Sequence, residues 1–463
     1  MPTISGQGAI VRARAAGKAA RQTMPRREHA EFNVPERDPV RLLEEQHATR
    51  VPDLVSVRIG RMLETPFSFY RGSAAVMAHD LSAQPVSGHR VVACGDAHLA
   101  NFGLFASPER RLVFDLNDFD EAFPGPWEWD VKRLAASIWL SGRNNGHSEE
   151  QCRTATEAAV RSYRSTLRRL YALTAAERFY HQVETDALAA AKTTAPTRLS
   201  TEVRKARQRT SEQVLSNLGV TTATGEPRIA DQPPIVRHSE VKDMARMNEL
   251  FGTYRSTLRA DTALLLSQYR MVDYALRIVG VGSVGTRCWV FMLQGPGGEA
   301  LFLQGKEAGR SVLETHGGIT DPPGSVIHAL TTHGQGYRVV GGQRILQAQS
   351  DPFLGWISNV TGNDGQTRDY YIRQFRDMKG SFKLEELNPN QEVWYGELCG
   401  RLLARAHSQS PGSAFIPGYL GKGNAFDQAV TDWAGRYADQ AERDHRTLEK
   451  AVRAGRLHAE FGV

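Results

Sequence analysis

Apolar positions recur at helical spacing over much of this chain and bunch into short runs at a few places. From Pro39 to Ser82 the spacing predicts helix, with Leu54, Val57, Ile59 and Met62 as apolar markers. Trp129, Val131, Leu134, Ala135 and Ile138 predict another helix over Trp127–Leu140. Two apolar runs lie between them, Arg90-Val-Val-Ala-Cys94 and Arg111-Leu-Val-Phe114, and each reads as a buried strand ending in a polar loop. Residues 148 to about 275, rich in Ala, Glu, Arg and Leu, read as mainly helical with a Pro/Gly break near 219–236. The character then changes. Arg277-Ile-Val-Gly280, Cys288–Leu293 and Ala300–Gln304, divided by Gly-rich turns, predict a small antiparallel sheet. Residues 341–350 read as helix, Tyr370–Phe375 as strand, and Gln391–His407 and Ala425–Arg456 as helices.

These patterns divide the chain into four parts and give the α+β class. Residues 1–35, polar, basic and aperiodic, are expected to form a disordered or loosely docked arm. Residues 36–275 are expected to make a larger helical part, 276–385 a small β-rich part, and 386–463 helices that return to the larger one. The 41% apolar and 23% charged content leaves ample material for a core. A net charge of +6 over 463 residues is too diffuse to argue for nucleic acid, though it suits a polyanionic small ligand. Cys94, Cys152, Cys288 and Cys399 are widely spaced, which argues against a zinc knuckle or a disulfide scaffold. No apolar run reaches the ~18–20 residues that span a bilayer, so no membrane partner is expected and a cytoplasmic location is the default.

The chemistry concentrates after the two early strands. Gly95-Asp-Ala-His-Leu-Ala-Asn101 carries Asp96, His98 and Asn101, and Asp115-Leu-Asn-Asp-Phe-Asp120 carries Asp115, Asp118 and Asp120. Asp and Asn also cap turns and helix starts, so either loop alone would be unremarkable as a site. Two such loops, each following an apparent strand, can converge hard oxygen donors on one cavity, as Mg²⁺ beside phosphates requires. Phosphoryl transfer also needs a carboxylate that orients the hydroxyl being phosphorylated. Gly280-Val-Gly-Ser-Val-Gly285 lies between two β-like runs, where Gly280, Gly282, Ser283 and Gly285 would allow close backbone approach to phosphate oxygens. The next apolar run leads to Lys306, a candidate phosphate contact or a plain edge-strand lysine, whose acidic or amide partner is open among Glu314, Glu307, Gln347 and Gln349. Arg71 and Arg287, both near glycines, are candidates to neutralise phosphate charge.

The Gly95–Asn101 segment resembles the catalytic loop of the aminoglycoside-phosphotransferase and choline-kinase branch of the protein-kinase-like superfamily, and Asp118-Phe-Asp120 resembles its metal-binding segment. Asp130 in Trp127-Glu-Trp-Asp-Val matches a further Asp of that pattern. The resemblance implies Asp96 as catalytic base, Asn101 and Asp118 as Mg²⁺ ligands with Asp120 or Asp115 competing, and Asp130 as support for the loop. His98 is a weaker neighbour. It further implies ATP as phosphoryl donor, Gly280–Gly285 and Lys306 as its phosphate contacts, and an acceptor that is not named by the residues. Because the glycine turn and Lys306 follow the carboxylates in sequence, the implied two-lobed kinase-like fold is circularly permuted.

Over nearly its full length the chain also resembles the bacterial family of domain of unknown function 2252. The matching segments are Arg26-Arg-Glu-His29, Pro66–Ala74, Gly95–Gly103, Asp115–Glu121, Gly280–Arg287 and Tyr419-Leu-Gly-Lys422. Two other functions fit the same residues: a metal-dependent phosphoesterase, because Gly-Asp-x-His also occurs at dinuclear sites, and a non-catalytic nucleotide-binding protein of kinase-like fold.

Overall fold

The computed structural model describes residues 6–183, 199–209, 211–221, 227–238, 243–278, 284–320, 328–375 and 378–462. The class is mixed α and β, as the patterns predict. The predicted early strands are β1 (Arg90–Ala93) and β3 (Leu112–Leu116). Between them β2 (Phe102–Ala106) pairs with β3, and β4 (Phe123–Pro126) returns to pair with β1. The loop with Asp96 joins β1 to β2, and the loop with Asp118 joins β3 to β4. Both loops therefore run between the two ribbons of a small framework, β1 with β4 and β2 with β3.

Behind this framework stands the Trp127–Asn144 helix, buried nearly all round, flanked by Glu149–Leu170, Pro389–His407 and Ala425–Arg453. Glu149–Leu170 opens with a capping box on Ser148 and Gln151, and Pro389–His407 with one on Asn388 and Gln391. Gly400 lets the two helices approach closely, since a Cβ there would lie 2.2 Å from the Ala159 carbonyl oxygen. Trp127, Tyr163, Tyr419 and Phe426 fill the space between these helices.

Lys132 lies in this core, its Nζ 4.6 Å above the Trp433 ring and without a hydrogen-bond partner. Burial pushes its ammonium down to about 7 against the pull of Glu128, and burial likewise pushes Glu128 up to about 7. A lysine with a depressed folded pKa costs most stability below that pKa, and the cost fades as pH rises toward the unfolded value. Lys132→Met is therefore expected to raise the melting temperature by ~3 °C or more at pH 6 and by less than half as much at pH 9. Equal shifts at both pH values in calorimetric scans would show that the ammonium carries no such penalty.

The sheet contains six antiparallel strands in the order β11-β12-β10-β9-β8-β7. They are β7 (Val236–Arg237), β8 (Arg270–Arg277), β9 (Cys288–Gln294), β10 (Ala300–Ala308), β11 (Gly355–Thr361) and β12 (Thr367–Gln374). A further two-stranded ribbon pairs β5 (Gly219–Thr221) with β6 (Pro227–Ile229). One face of the large sheet packs Leu301, Leu303, Phe291 and Ile372 against Tyr254 and Leu266, with Met247 and Phe251 partly buried beside them. The other face carries Val290, Met292 and Phe302.

Three expectations are corrected. The first 35 residues are not a loose arm as far as they are described: Gly6–Ala20 is a helix docked on Phe415–Leu420. Gly17 and Gly418 allow backbone-to-backbone contact, and Arg21 Nε donates to the Tyr419 carbonyl at 2.8 Å. Small residues carry this contact, so no apolar stripe advertised it. The β-rich part also does not begin at 276. β8 starts at Arg270, β7 lies earlier still, and Met244–Arg255 packs beside the sheet. A bulge between Met271 and Asp273 breaks the period of two that would have marked β8 as a strand. Finally, the helix expected over 341–350 spans Gly334–Leu346. Its glycines hid it: a Cβ at Gly336 would lie 2.4 Å from the Tyr370 carbonyl oxygen, and one at Gly342 would lie 2.6 Å from Ala122 Cβ.

Candidate active site

Gly95 turns the chain out of β1 with φ +77°, and a Cβ there would lie 2.2 Å from the Glu121 carbonyl oxygen. The two loops are thus in contact at their roots. Asn101 bolts them together further on. Its Nδ2 donates to the Asp96 and Asp118 carbonyls, each at 3.0 Å, and its Oδ1 accepts the Asp118 N–H at 2.7 Å. Asp130, at the start of the Trp127–Asn144 helix, accepts the Cys94 N–H at 2.6 Å and the Gly95 N–H at 2.9 Å. His407 Nε2 meets the same carboxylate at 3.0 Å, and His407 Nδ1 contacts Tyr163 Oη at 2.8 Å. Ser137 Oγ accepts the Leu99 N–H at 2.8 Å. The Asp96 loop is thereby fixed to a helix that is buried along nearly its whole length.

Asp96 itself is half-buried and clamped. Arg133, one helical turn beyond Asp130, places Nε at 2.8 Å and Nη2 at 2.7 Å from Asp96 Oδ1. Arg133 lies over the Tyr70 ring at 4.0 Å and donates to the Tyr70 carbonyl at 2.8 Å. Burial raises the Asp96 carboxyl above its usual range even though Arg133 pulls the other way. The second oxygen, Oδ2, is 3.7 Å from His98 Nε2. Burial, and then Arg133 and Arg71, push His98 well below its ordinary value, so the imidazole is neutral.

Lys306 supplies the other half of the site. It is buried on β10, and its Nζ lies 3.3 Å from Asp120 Oδ2 and 3.6 Å from Asp118 Oδ2. Burial opposes ionisation of Asp118, but Lys306, then Arg373 and Lys379, outweigh it and hold the carboxyl down at about 2. Burial would lower Lys306 too, and Asp118 with Asp120 reverse that, lifting it well above the usual lysine range. Asp120 Oδ1 accepts from Tyr371 Oη at 2.6 Å. Lys306 and Tyr371 are register partners across β10 and β12, which puts both on one face of the sheet. The partner left open in the sequence is therefore this aspartate pair. Glu307 binds Arg287 and Arg368, Glu314 binds Arg310, Gln347 donates to the Leu116 carbonyl, and Gln349 contacts Gln182.

Arg338 on the Gly334–Leu346 helix, fully buried, donates to the carbonyls of Asp120, Ala122 and Gly309 at 2.6–2.8 Å and ties helix, sheet and carboxylate loop together. Glu121 accepts the Val312 N–H at 2.7 Å, and burial pushes its carboxyl up to about 7. Sequence reading missed Arg133, Arg338, Tyr371 and His407. Arg133 had a signal, since three positions after Asp130 on a helix lands on the same face; Arg338 had none.

Of the other predicted residues, Gly280, Gly282 and Ser283 lie outside the described residues. Gly285 has φ +90° and packs on Arg50, and its carbonyl accepts the Val51 N–H at 2.7 Å. Asp115 is buried under the site and accepts the Ala348 and Leu116 N–H groups, so it caps backbone and does not face Lys306. Arg287 is taken up by Glu307 and Asp364.

Among the described residues no three His, Cys, Asp or Glu side chains gather as a metal cluster. The donor set nonetheless suits Mg²⁺, which keeps several waters and takes one or two carboxylates beside phosphates. Asp118 Oδ1 is buried without a hydrogen-bond partner, and the Asn101 oxygen retains one lone pair. A cavity of about 230 Å³ is lined in part by Asn117, the residue before Asp118, and by Arg373 and Lys379, which act on Asp118. The larger cavity, about 400 Å³, lies on the sheet face opposite Lys306, among Met247, Phe251, Trp289 and Tyr370.

The molecule is thus a mixed α+β protein in which a clamped aspartate loop faces a lysine–aspartate cluster. It belongs to the bacterial family described as "Uncharacterized protein conserved in bacteria (DUF2252)", whose model matches residues 50–451. No curated protein and no solved structure matches it. No helix among the described residues is long and apolar enough to cross a membrane.

Proposed function

We propose that the chain is an ATP- and Mg²⁺-dependent phosphotransferase of protein-kinase-like design in circularly permuted order. The observation that carries this reading is the meeting of Lys306 with Asp118 and Asp120, 186 positions away from Asp120, beside the loop that presents Asp96. A buried lysine on a sheet and aspartates on a loop below it make a site for a metal-bound polyphosphate. Asn101 supports the same reading, since it fixes the distance between the Asp96 and Asp118 loops. So does the order of parts, with the carboxylate loops before the sheet and the Pro389–His407 helix after it.

In this mechanism Asp96 Oδ2 accepts a hydrogen bond from the acceptor hydroxyl, while Arg133 holds Oδ1 still. The hydroxyl oxygen attacks the γ-phosphorus of ATP, the bond from that phosphorus to the β,γ-bridging oxygen breaks, and ADP leaves with the electron pair. The hydroxyl proton passes to Asp96. Lys306 offsets phosphate charge through its raised, permanently protonated ammonium. Mg²⁺, held by Asp118 with the Asn101 oxygen and Asp120 as neighbours, would supply further neutralisation of the phosphates.

Asp96→Asn is the test that separates transfer from mere binding. It is expected to lower phosphoryl transfer by ~10³-fold while ATP affinity, measured by calorimetry with Mg²⁺, stays within about threefold. Retained transfer in Asp96→Asn would remove Asp96 from the mechanism. Absence of Mg²⁺-dependent ATP binding by the wild type would end the nucleotide reading and return the phosphoesterase alternative, while binding without transfer to any acceptor would favour a nucleotide sensor.

A further inference from the structure

Two guanidinium groups, Arg133 and Arg71, act on the single negative charge of Asp96. Arg133 is committed to it by a hydrogen bond from Nε and an ion-pair contact from Nη2. Arg71 is not. It extends from the Pro66–Gly72 helix, half-buried, with no hydrogen bond or ion pair among the described residues, and its Nε is buried without a partner. The carboxylates that act on it are Asp96 first, then Glu64 and Glu385. Both glutamates are exposed, where solvent and salt screen them.

A second polar group near Asp96 also lacks a partner. His98 is only 8% exposed, and its Nδ1 has no hydrogen-bond partner although Nε2 lies 3.7 Å from Asp96 Oδ2. Both Arg71 and Arg133 act on this imidazole. Arg71 Nε and His98 Nδ1 are two of several buried side-chain nitrogens without a partner, and these two belong to groups that act on, or lie beside, one carboxylate. The helix that carries Arg71 is not loose: the Tyr70 carbonyl accepts from Arg133 Nη2, and Tyr70 Oη donates to the Arg133 carbonyl at 2.9 Å.

Lys306 meets Asp118 and Asp120, whereas the helix of Arg71 meets the Asp96 side of the site, since the carbonyl of its neighbour Tyr70 accepts from the Arg133 that clamps Asp96. A planar, permanently charged fork of this kind matches a carboxylate or phosphate with two parallel hydrogen bonds. We infer that the acceptor is an anion: a small alcohol bearing a carboxylate or phosphate, which Arg71 binds while the hydroxyl meets Asp96 Oδ2, an assignment that rests on the phosphotransferase reading above. Arg71 is then a specificity-determining binding residue, and a cationic alcohol is disfavoured at this site by like charge.

The full-length protein with Mg²⁺ and γ-labelled ATP is offered glycerate, gluconate and glucose 6-phosphate against glycerol, glucose and choline. Transfer is expected to the anionic set, and carboxylate acceptance against phosphate acceptance identifies the group that Arg71 takes. With the accepted alcohol, Arg71→Gln is expected to raise the acceptor KM ~30-fold with kcat within about threefold and the KM for ATP unchanged, and Arg71→Lys to recover part of the loss. Transfer to glycerol or choline as efficient as to the anions, or an unchanged acceptor KM in Arg71→Gln, overturns the inference and leaves the phosphotransferase reading standing.

A second measurement needs no turnover. Phenylglyoxal labels accessible arginines, and mass spectrometry reads Arg71 in the ADP–Mg²⁺-saturated protein alone, with inorganic phosphate and with glycerate. Labelling of Arg71 that either anion suppresses supports the anion site; labelling that both leave unaltered overturns it, whatever the panel gives. Failure of the wild type to bind ATP with Mg²⁺ is a separate result, and it removes the function proposed above rather than the anion site.

Discussion

Asp118→Asn is expected to weaken Mg²⁺–ATP binding by ~10²-fold or more, the scale at which one partner of a buried charge set is lost. The substitution keeps the shape and removes the charge that Lys306, Arg373 and Lys379 hold in place. Its sign depends on the metal. Without Mg²⁺, the same variant should bind ATP as well as the wild type or slightly better, because Lys306 then has one carboxylate fewer to satisfy. Lys306→Met should weaken ATP binding in both conditions, since it leaves Asp118 and Asp120 as unopposed like charges facing a polyanion. Calorimetric titration of the wild type and both variants, with and without Mg²⁺, gives all six values. Equal affinity of Asp118→Asn and wild type for Mg²⁺–ATP would reduce Asp118 to a counter-ion for Lys306.

Asp130→Ala is expected to have the largest effect on the fold and on the site together. The carboxylate is 1% exposed and satisfies the Cys94 N–H, the Gly95 N–H and His407. Removing it strands those donors in a water-free interior and opens a small cavity, which together cost about 3–5 kcal/mol. The Asp96 loop would then lose its main anchor. Phosphoryl transfer should fall by at least as much as in Asp96→Asn, while ATP affinity falls less, because Lys306 and Asp118 are held by Arg338, Tyr371 and Asn101 instead. Thermal unfolding and ATP titration read the two effects separately. A variant with near-normal melting and impaired transfer would place Asp130 in loop alignment alone; normal transfer would contradict the anchoring role.

The fold was legible where local rules decide it. The Pro389–His407 and Ala425–Arg453 helices matched their apolar spacing, and Cys288–Gln294, Ala300–Ala308 and Thr367–Gln374 matched their β-rich runs. It was illegible where glycine or alanine makes the contact, as in Gly6–Ala20 and Gly334–Leu346, because a backbone-to-backbone approach leaves no large apolar residue to mark it. The same holds for β8, whose bulge breaks the alternation that identifies a strand.

At the site, the chain itself carries Asp96, Asn101, Asp118 and Asp120 in two short loops, and the turn residues around them make their convergence readable. Asp130 is reached from the sequence only through the resemblance to the kinase-like pattern, and its hydrogen bonds to Cys94 and Gly95 come from the packing of its helix. The partner of Lys306, the clamp of Arg133 on Asp96, and the free guanidinium of Arg71 are not written in any local pattern. Each depends on which of 57 basic residues arrives beside which carboxylate. Ion pairing acts through space over a few ångströms and has no period along the chain, so only the packed structure could decide it.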